Sequence, residues 1–103
     1  MRSPVDFKGQ IYRRLKEYLS RDRTGIRRAL LALFIRMKIW TIPQIFEQLK
    51  QHFTISYHSI ASMVGIIASR IGILRVRKSM DSNNTFYEMK EQYLDLVSGL
   101  VTS

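Results

Sequence analysis

Cysteine is absent from the 103 residues. That removes disulfides, thiolate metal sites and thiol nucleophiles together, and it suits a reducing compartment. Glycine is scarce, and its five occurrences are isolated from one another. No phosphate-cradling loop or dinucleotide fingerprint can be built from them. The longest apolar run, Ala29 to Ile35, is broken off by Arg36 and Lys38, well short of the ~20 residues that cross a bilayer. No membrane partner is expected. The N-terminus has no apolar h-region, so no signal peptide is expected and a cytoplasmic location is. The two histidines, His52 and His58, fall in different segments without HExxH spacing, which argues against a metal site. Glu91 and Asp95 stand four apart and read better as a solvated acidic face than as an acid–base pair. No spacing suggests a Ser-His-acid grouping, although such triads assemble in space rather than in sequence. Taken together, these absences predict a protein that is not an enzyme and uses no cofactor.

Acidic residues are also few, eight against seventeen Lys and Arg, for a net charge of +9. The imbalance is uneven along the chain. Residues 1–40 carry a net +8, residues 41–80 a net +4 and residues 81–103 a net −3. A basic body of this kind draws polyanions over about a Debye length, ~8–10 Å at physiological salt. Nucleic acid is the commonest such partner, with an anionic membrane surface as the rival. At 46% hydrophobic and 24% charged, the chain is globular rather than disordered, and its length suits a single domain. The expected organisation is one domain over 1–103, with a loose arm at 1–5 and flanking helices at 6–20 and 90–101.

The stretch from Thr41 to Met89 carries the clearest local signals. Thr41 is placed as an N-cap, with Gln44 as its capping-box partner and Pro43 in the first turn. Ile42, Ile45, Phe46 and Leu49 then form one helical stripe. Ser56 can cap a further helix over 57–71, whose stripe is Ile60, Met63, Val64, Ile67 and Ile71, with Gly72 supplying the left-handed residue that ends it. At about 100° per residue, the opposite side collects His58, Ser62, Gly65 and Ser69, with Ser59 and Ile66 at one edge and Arg70 further round. A face of small and hydrogen-bonding side chains can lie in the major groove of DNA, or can simply be solvated. Next, Ile73 to Lys78 alternates at period two, with Leu74 and Val76 on one side and Arg75 and Arg77 on the other. Asp81-Ser82-Asn83-Asn84 is a turn cluster. Thr85 to Met89 is the returning strand.

In front of this stretch, Phe7, Ile11, Leu15, Tyr18 and Leu19 predict a helix from Asp6 to Ser20. Arg21-Asp22-Arg23 reads as a linker, and Thr24 as the N-cap of a helix from Gly25 to about Lys38. Ile26, Leu30, Leu33, Phe34 and Met37 form its stripe, and Leu31 and Ile35 make it apolar nearly all round, so it belongs at the centre of a bundle. Arg27 and Arg28 oppose the dipole at its N-terminus unless a phosphate comes to that end. Trp40 is expected to plug the core at a turn. Phe53-Thr54-Ile55 is short and β-prone and could pair with Leu74–Val76 as a third strand. Tyr93, Leu96, Val97, Leu100 and Val101 predict a terminal amphipathic helix. Its stripe either packs on the first helix or forms a homodimer through residues 90–101, and the dimer is the favoured of the two. The predicted fold is mainly α with a small antiparallel β-wing, in the order α-α-α-(β)-α-β-β-α.

From Thr24 to Met89 the chain resembles the winged helix-turn-helix domains of ferric-uptake-regulator-type repressors. The resemblance rests on Ile55-Ser56-Tyr57-His58-Ser59-Ile60, on Gly72-Ile73-Leu74 and on the closing Phe86-Tyr87-Glu88. The whole chain is also similar to an uncharacterised family of methanogenic archaea. Two departures from the repressor pattern stand out: one extra residue between Ile60 and Gly72, and Ser62 where those repressors often carry Arg. Their metal-sensing second domain has no counterpart here, so metal-dependent regulation does not carry over. The resemblance implies a small transcriptional regulator that contacts duplex DNA. Tyr57, His58, Ser59, Ser62, Ser69 and Arg70 would act from the reading helix, and Arg75, Arg77, Lys78, Asn83 and Asn84 from a basic wing at 73–89. Arg27 and Arg28 would add sequence-independent phosphate attraction. The alternative is a protein–protein interaction module whose partner docks on the face of helix 57–71.

Overall fold

The computed structural model describes residues 4–81 and 83–102, with side chains from residue 8 onward. Five α-helices and a three-stranded antiparallel sheet make up the described fold. Helix α1 (Pro4–Ser20) is followed by α2 (Ile26–Arg36), β1 (Ile39–Trp40), α3 (Ile42–Leu49) and α4 (Tyr57–Ile66). A π-helical turn (Ile67–Ile71) continues α4. Strands β2 (Leu74–Lys78) and β3 (Thr85–Met89), a 3₁₀ turn (Glu91–Tyr93) and α5 (Leu94–Thr102) complete the chain. This is a winged helix-turn-helix. Helix α1 begins at Pro4, two residues before the expected Asp6. Proline fits there, because the first helical position needs no N–H and its fixed φ is already helical. The expected arm otherwise lies outside the described residues.

The core is one cluster drawn from every helix and the root of the sheet. Leu15 of α1, Leu30, Leu31 and Phe34 of α2, Ile45 of α3, Ile60 and Val64 of α4 and Val97 of α5 are fully buried. Helix α2 lies at the centre, as its all-round apolar character requires, but Met37 does not join the stripe. The helix stops at Arg36, and Met37 takes an extended conformation with its side chain exposed.

That extended exit produces the third strand. Ile39 and Trp40 run along the free edge of β3, in register with Glu88 and Tyr87. The strand order is therefore β1-β3-β2. Phe53–Ile55, expected to pair with β2, forms no strand. Its place in the order is taken by a strand that precedes α3, giving α-α-β-α-α-β-β-α. Trp40 does plug the core. Its indole N–H reaches the carbonyls of Leu33 and Met37, each at 2.9 Å, so the buried donor is partnered at the end of α2.

Helix α3 starts on the predicted capping box. The Gln44 N–H donates to Thr41 Oγ1 at 3.3 Å, and the Thr41 N–H to Gln44 Oε1 at 3.0 Å. The start of α2 was misassigned: Thr24 does not cap it. Gly25 is the N-cap, at φ +86°, and the fold supplies the acceptor from further back. The Asp22 carboxylate accepts from the backbone N–H groups of Gly25, Arg27 and Arg28 at 3.0–3.2 Å. A left-handed glycine curls the chain so that a residue three positions earlier covers the exposed donors.

Candidate nucleic-acid interface

Ser56 Oγ accepts from the Ser59 N–H at 3.1 Å and opens α4 as its N-cap. Ile60, Val64, Ile67 and Ile71 are buried, while Met63 is half-buried. Opposite them, Tyr57, His58, Ser59, Ser62 and Ser69 are all exposed, with Arg70 beside them. Several of these groups are already oriented. Tyr57 meets Phe46 edge-on, with ring centroids 5.7 Å apart. Ser59 Oγ accepts from Ser56 Oγ at 3.0 Å. Ser69 Oγ donates to the Gly65 carbonyl at 2.7 Å, which turns its hydroxyl proton towards its own helix. Gly65 itself is open: a Cβ built there meets nothing within 4 Å. No element of the same chain requires a glycine at this point.

The helix does not run as α through to Gly72. The Gly72 N–H bonds to the Ile67 carbonyl at 2.9 Å, five residues back, which closes a π-turn. A π-turn holds one residue more than an α-turn. Both Ile67 and Ile71 stay in the core, and Ser69 and Arg70 are left on the outside. Gly72, at φ +85°, then ends the helix as expected, and Lys90 Nζ covers its carbonyl at 3.0 Å.

The wing pairs Arg75 with Glu88, Val76 with Tyr87, Arg77 with Phe86 and Lys78 with Thr85. Cross-strand partners share a face, so Arg75, Arg77, Phe86 and Glu88 lie on the side away from the buried Leu74, Met89 and Trp40. Only the root of the ribbon is covered. Val76, expected on the core side, is 50% exposed because the ribbon has already left the body at that point. Arg75, Arg77, Lys78, Asn83 and Asn84 are exposed. Arg77 is not an isolated cation, since its Nη2 lies 3.1 Å from Glu88 Oε1.

Arg27 and Arg28 are placed otherwise than expected. Both are half-buried and bonded within the molecule. Arg27 Nη1 donates to the Tyr18 carbonyl at 2.8 Å, and its guanidinium lies 4.4 Å from the Tyr18 ring centroid. Arg28 Nη1 donates to the carbonyls of Leu100 and Val101, at 2.8 and 2.6 Å, and so caps the last turn of α5. The phosphate suggested for this helix end has a substitute in the Asp22 carboxylate. Residues passed over in the sequence are Arg14 and Arg21, which line a cleft with Arg70. Arg14 lies on α1 and Arg21 just past its end. Among the described residues, no group of three His, Asp or Glu could hold a metal ion, and no helix is long and apolar enough to cross a membrane.

Residues 15–97 match the family described as Protein of unknown function (DUF2551). An uncharacterised protein of Archaeoglobus fulgidus is 36% identical over 94 residues, covering 90% of this chain and 94% of that one. Among solved structures, a mutant of Lactococcus lactis ZitR in apo form superposes with a TM-score of 0.60 at 16% identity. The match covers 99% of this chain and 73% of that one, and at this identity it is a likeness of fold.

Proposed function

The chain belongs to the family described as Protein of unknown function (DUF2551), and on that footing we propose that it binds duplex DNA as a small transcriptional regulator. The observation carrying this reading is the exposed, uncharged side of α4, followed in the chain by a ribbon whose Arg75 and Lys78 are also exposed. A helix side without bulky charge can enter the major groove, and cations on a ribbon can meet the phosphates that border it. His58, Ser59 and Ser62 would approach base edges. Arg75, Lys78 and Asn83 would hold the backbone, with Arg77 weakened in that role by Glu88. The reading side offers no Arg, Lys, Asn or Gln, the side chains that make most bidentate base contacts. Binding is therefore expected to tolerate many sequences. A duplex-binding protein works where the DNA is, which we take to be the cytoplasm.

For oligomeric state, the buried positions of Tyr93 and Val97 inside the protomer take away part of the stripe that suggested a dimer. What remains is a groove between α1 and α5, lined by Tyr12, Leu96 and Leu100 together with Lys16 and Asp95. A homodimer would use this groove, and sedimentation velocity reads it directly.

Electrophoretic mobility shift across a salt series tests the main reading. If Arg75 and Lys78 each neutralise a phosphate, the log–log slope should be about −2 or steeper. A retarded band that ignores salt, or no band at all, removes the duplex from the function. The same face would then be left to a protein partner.

A further inference from the structure

Where α1, the start of α2 and the end of the reading helix meet, the surface opens into a cleft of about 220 Å³. Four of its lining residues are arginines: Arg14, Arg21, Arg27 and Arg70. One carboxylate, Glu17, stands among them. Glu17 is paired with Arg21 at 3.1 Å. The charges of Arg14, Arg27 and Arg70 are thus gathered round one hollow with no ion pair to a carboxylate among the described residues. Like charges brought together in a partly water-excluded hollow repel one another, and the arrangement stands more easily when an anion lies between them.

Tyr18 also lines the cleft and is 9% exposed, with the Arg27 guanidinium 4.4 Å from its ring centroid. Its hydroxyl is buried, out of reach of an occupant, and has no hydrogen-bond partner among the described residues. The ring therefore serves to hold the Arg27 charge beside the hollow. Guanidinium forks match an acceptor-only, multiply charged oxyanion.

We propose that this cleft is a binding site for a phosphate-bearing anion, with Arg14 and Arg70 as donors and Arg27 as a standing charge beside them. Arg70 belongs to the π-turn, and Ile66 and Ile71 complete the lining. An occupant therefore ties the end of the reading helix to α1. The phosphate can come from a free small molecule or from a duplex backbone, and the two sources are separable by experiment. A free small-molecule occupant stands independently of duplex binding, and a backbone phosphate rests on it.

Inorganic pyrophosphate is titrated calorimetrically into the full chain and into R14Q, R70Q and, as a control from the other end of α2, R36Q. One-to-one binding is expected, weakened about tenfold or more by R14Q or R70Q and unchanged by R36Q. If pyrophosphate is silent and, in a parallel duplex salt series, R14Q and R70Q each flatten the slope by about 0.9 while R36Q leaves it unchanged, the occupant is a backbone phosphate. Pyrophosphate binding without any duplex binding would uphold the cleft and remove the regulator reading. If R14Q and R70Q change neither titration, or change each no more than R36Q does, the site is overturned and bulk charge is enough.

Discussion

Replacing Gly65 with alanine separates what the fold needs from what a docked surface needs. Gly65 lies inside α4 with an ordinary helical backbone, since only Gly25 and Gly72 take positive φ. A Cβ there meets nothing within 4 Å. The folded protein should therefore gain the helix-propensity difference between glycine and alanine, about 1 kcal/mol. For a domain of this size that corresponds to a rise of roughly 4–8 °C in the thermal midpoint. If DNA approaches α4 as closely as its run of small residues allows, the added methyl meets the duplex instead. Affinity should then fall by about tenfold, equivalent to ~1.4 kcal/mol. Differential scanning calorimetry and a fluorescence-anisotropy titration at fixed salt, on the same preparations, read the two effects. A variant that is more stable and binds duplex as tightly as the parent refutes close approach at this point. A variant that is less stable refutes the open environment read from the structure.

Further outcomes follow from other elements. D22A should lower the stability of the fold by about 1–2 kcal/mol, measured by urea unfolding, because three backbone donors at the start of α2 lose their acceptor; T24A should be nearly neutral. Tyr18 has its folded pKa raised from 10.0 to about 12, so its protonated form is the one favoured by folding. Its contribution is fully present below pH 10 and is lost as pH rises through 12; unfolding free energies over that window should fall less steeply in Y18F. Deleting Ala68 should turn the π-turn into a continuous α-helix and leave a folded protein, read by circular dichroism and thermal melting, since Ile67 and Ile71 would still share a face; loss of folding would mean the core demands the extra residue. On the wing, R75Q should flatten the duplex salt slope by about 0.9. R77Q should flatten it less, because Glu88 already lies 3.1 Å from that guanidinium.

How much could be read in advance depended on the distance between cause and effect along the chain. The Thr41–Gln44 capping box, the Ser56 cap and the Gly72 stop each involve neighbours within one helical turn, and each was legible. So were the stripe of α4 and the alternation of β2. Val76 shows where a pattern runs out. Alternation says which side a residue takes, but not whether anything lies opposite it. The exposure of the candidate interface residues His58, Ser62, Arg75 and Lys78 follows from those periodic faces. Arg27 and Arg28 do not, because their partners are the carbonyls of Tyr18 and of Leu100 and Val101.

The sequence by itself determined the helices, the hairpin, the basic character and the composition of the exposed side of α4, since these come from side-chain type and local spacing. Tertiary structure alone decided that a two-residue strand at Ile39–Trp40 completes the sheet, that Arg28 caps a helix 72 residues away, and that α4 runs on into a π-turn. It also brought Arg14, Tyr18 and Arg70 round one cleft. A two-residue strand has no period, and a guanidinium shows no preference among distant carbonyls until packing presents one. Such features are settled when the core closes, by which backbone groups are then left without a partner.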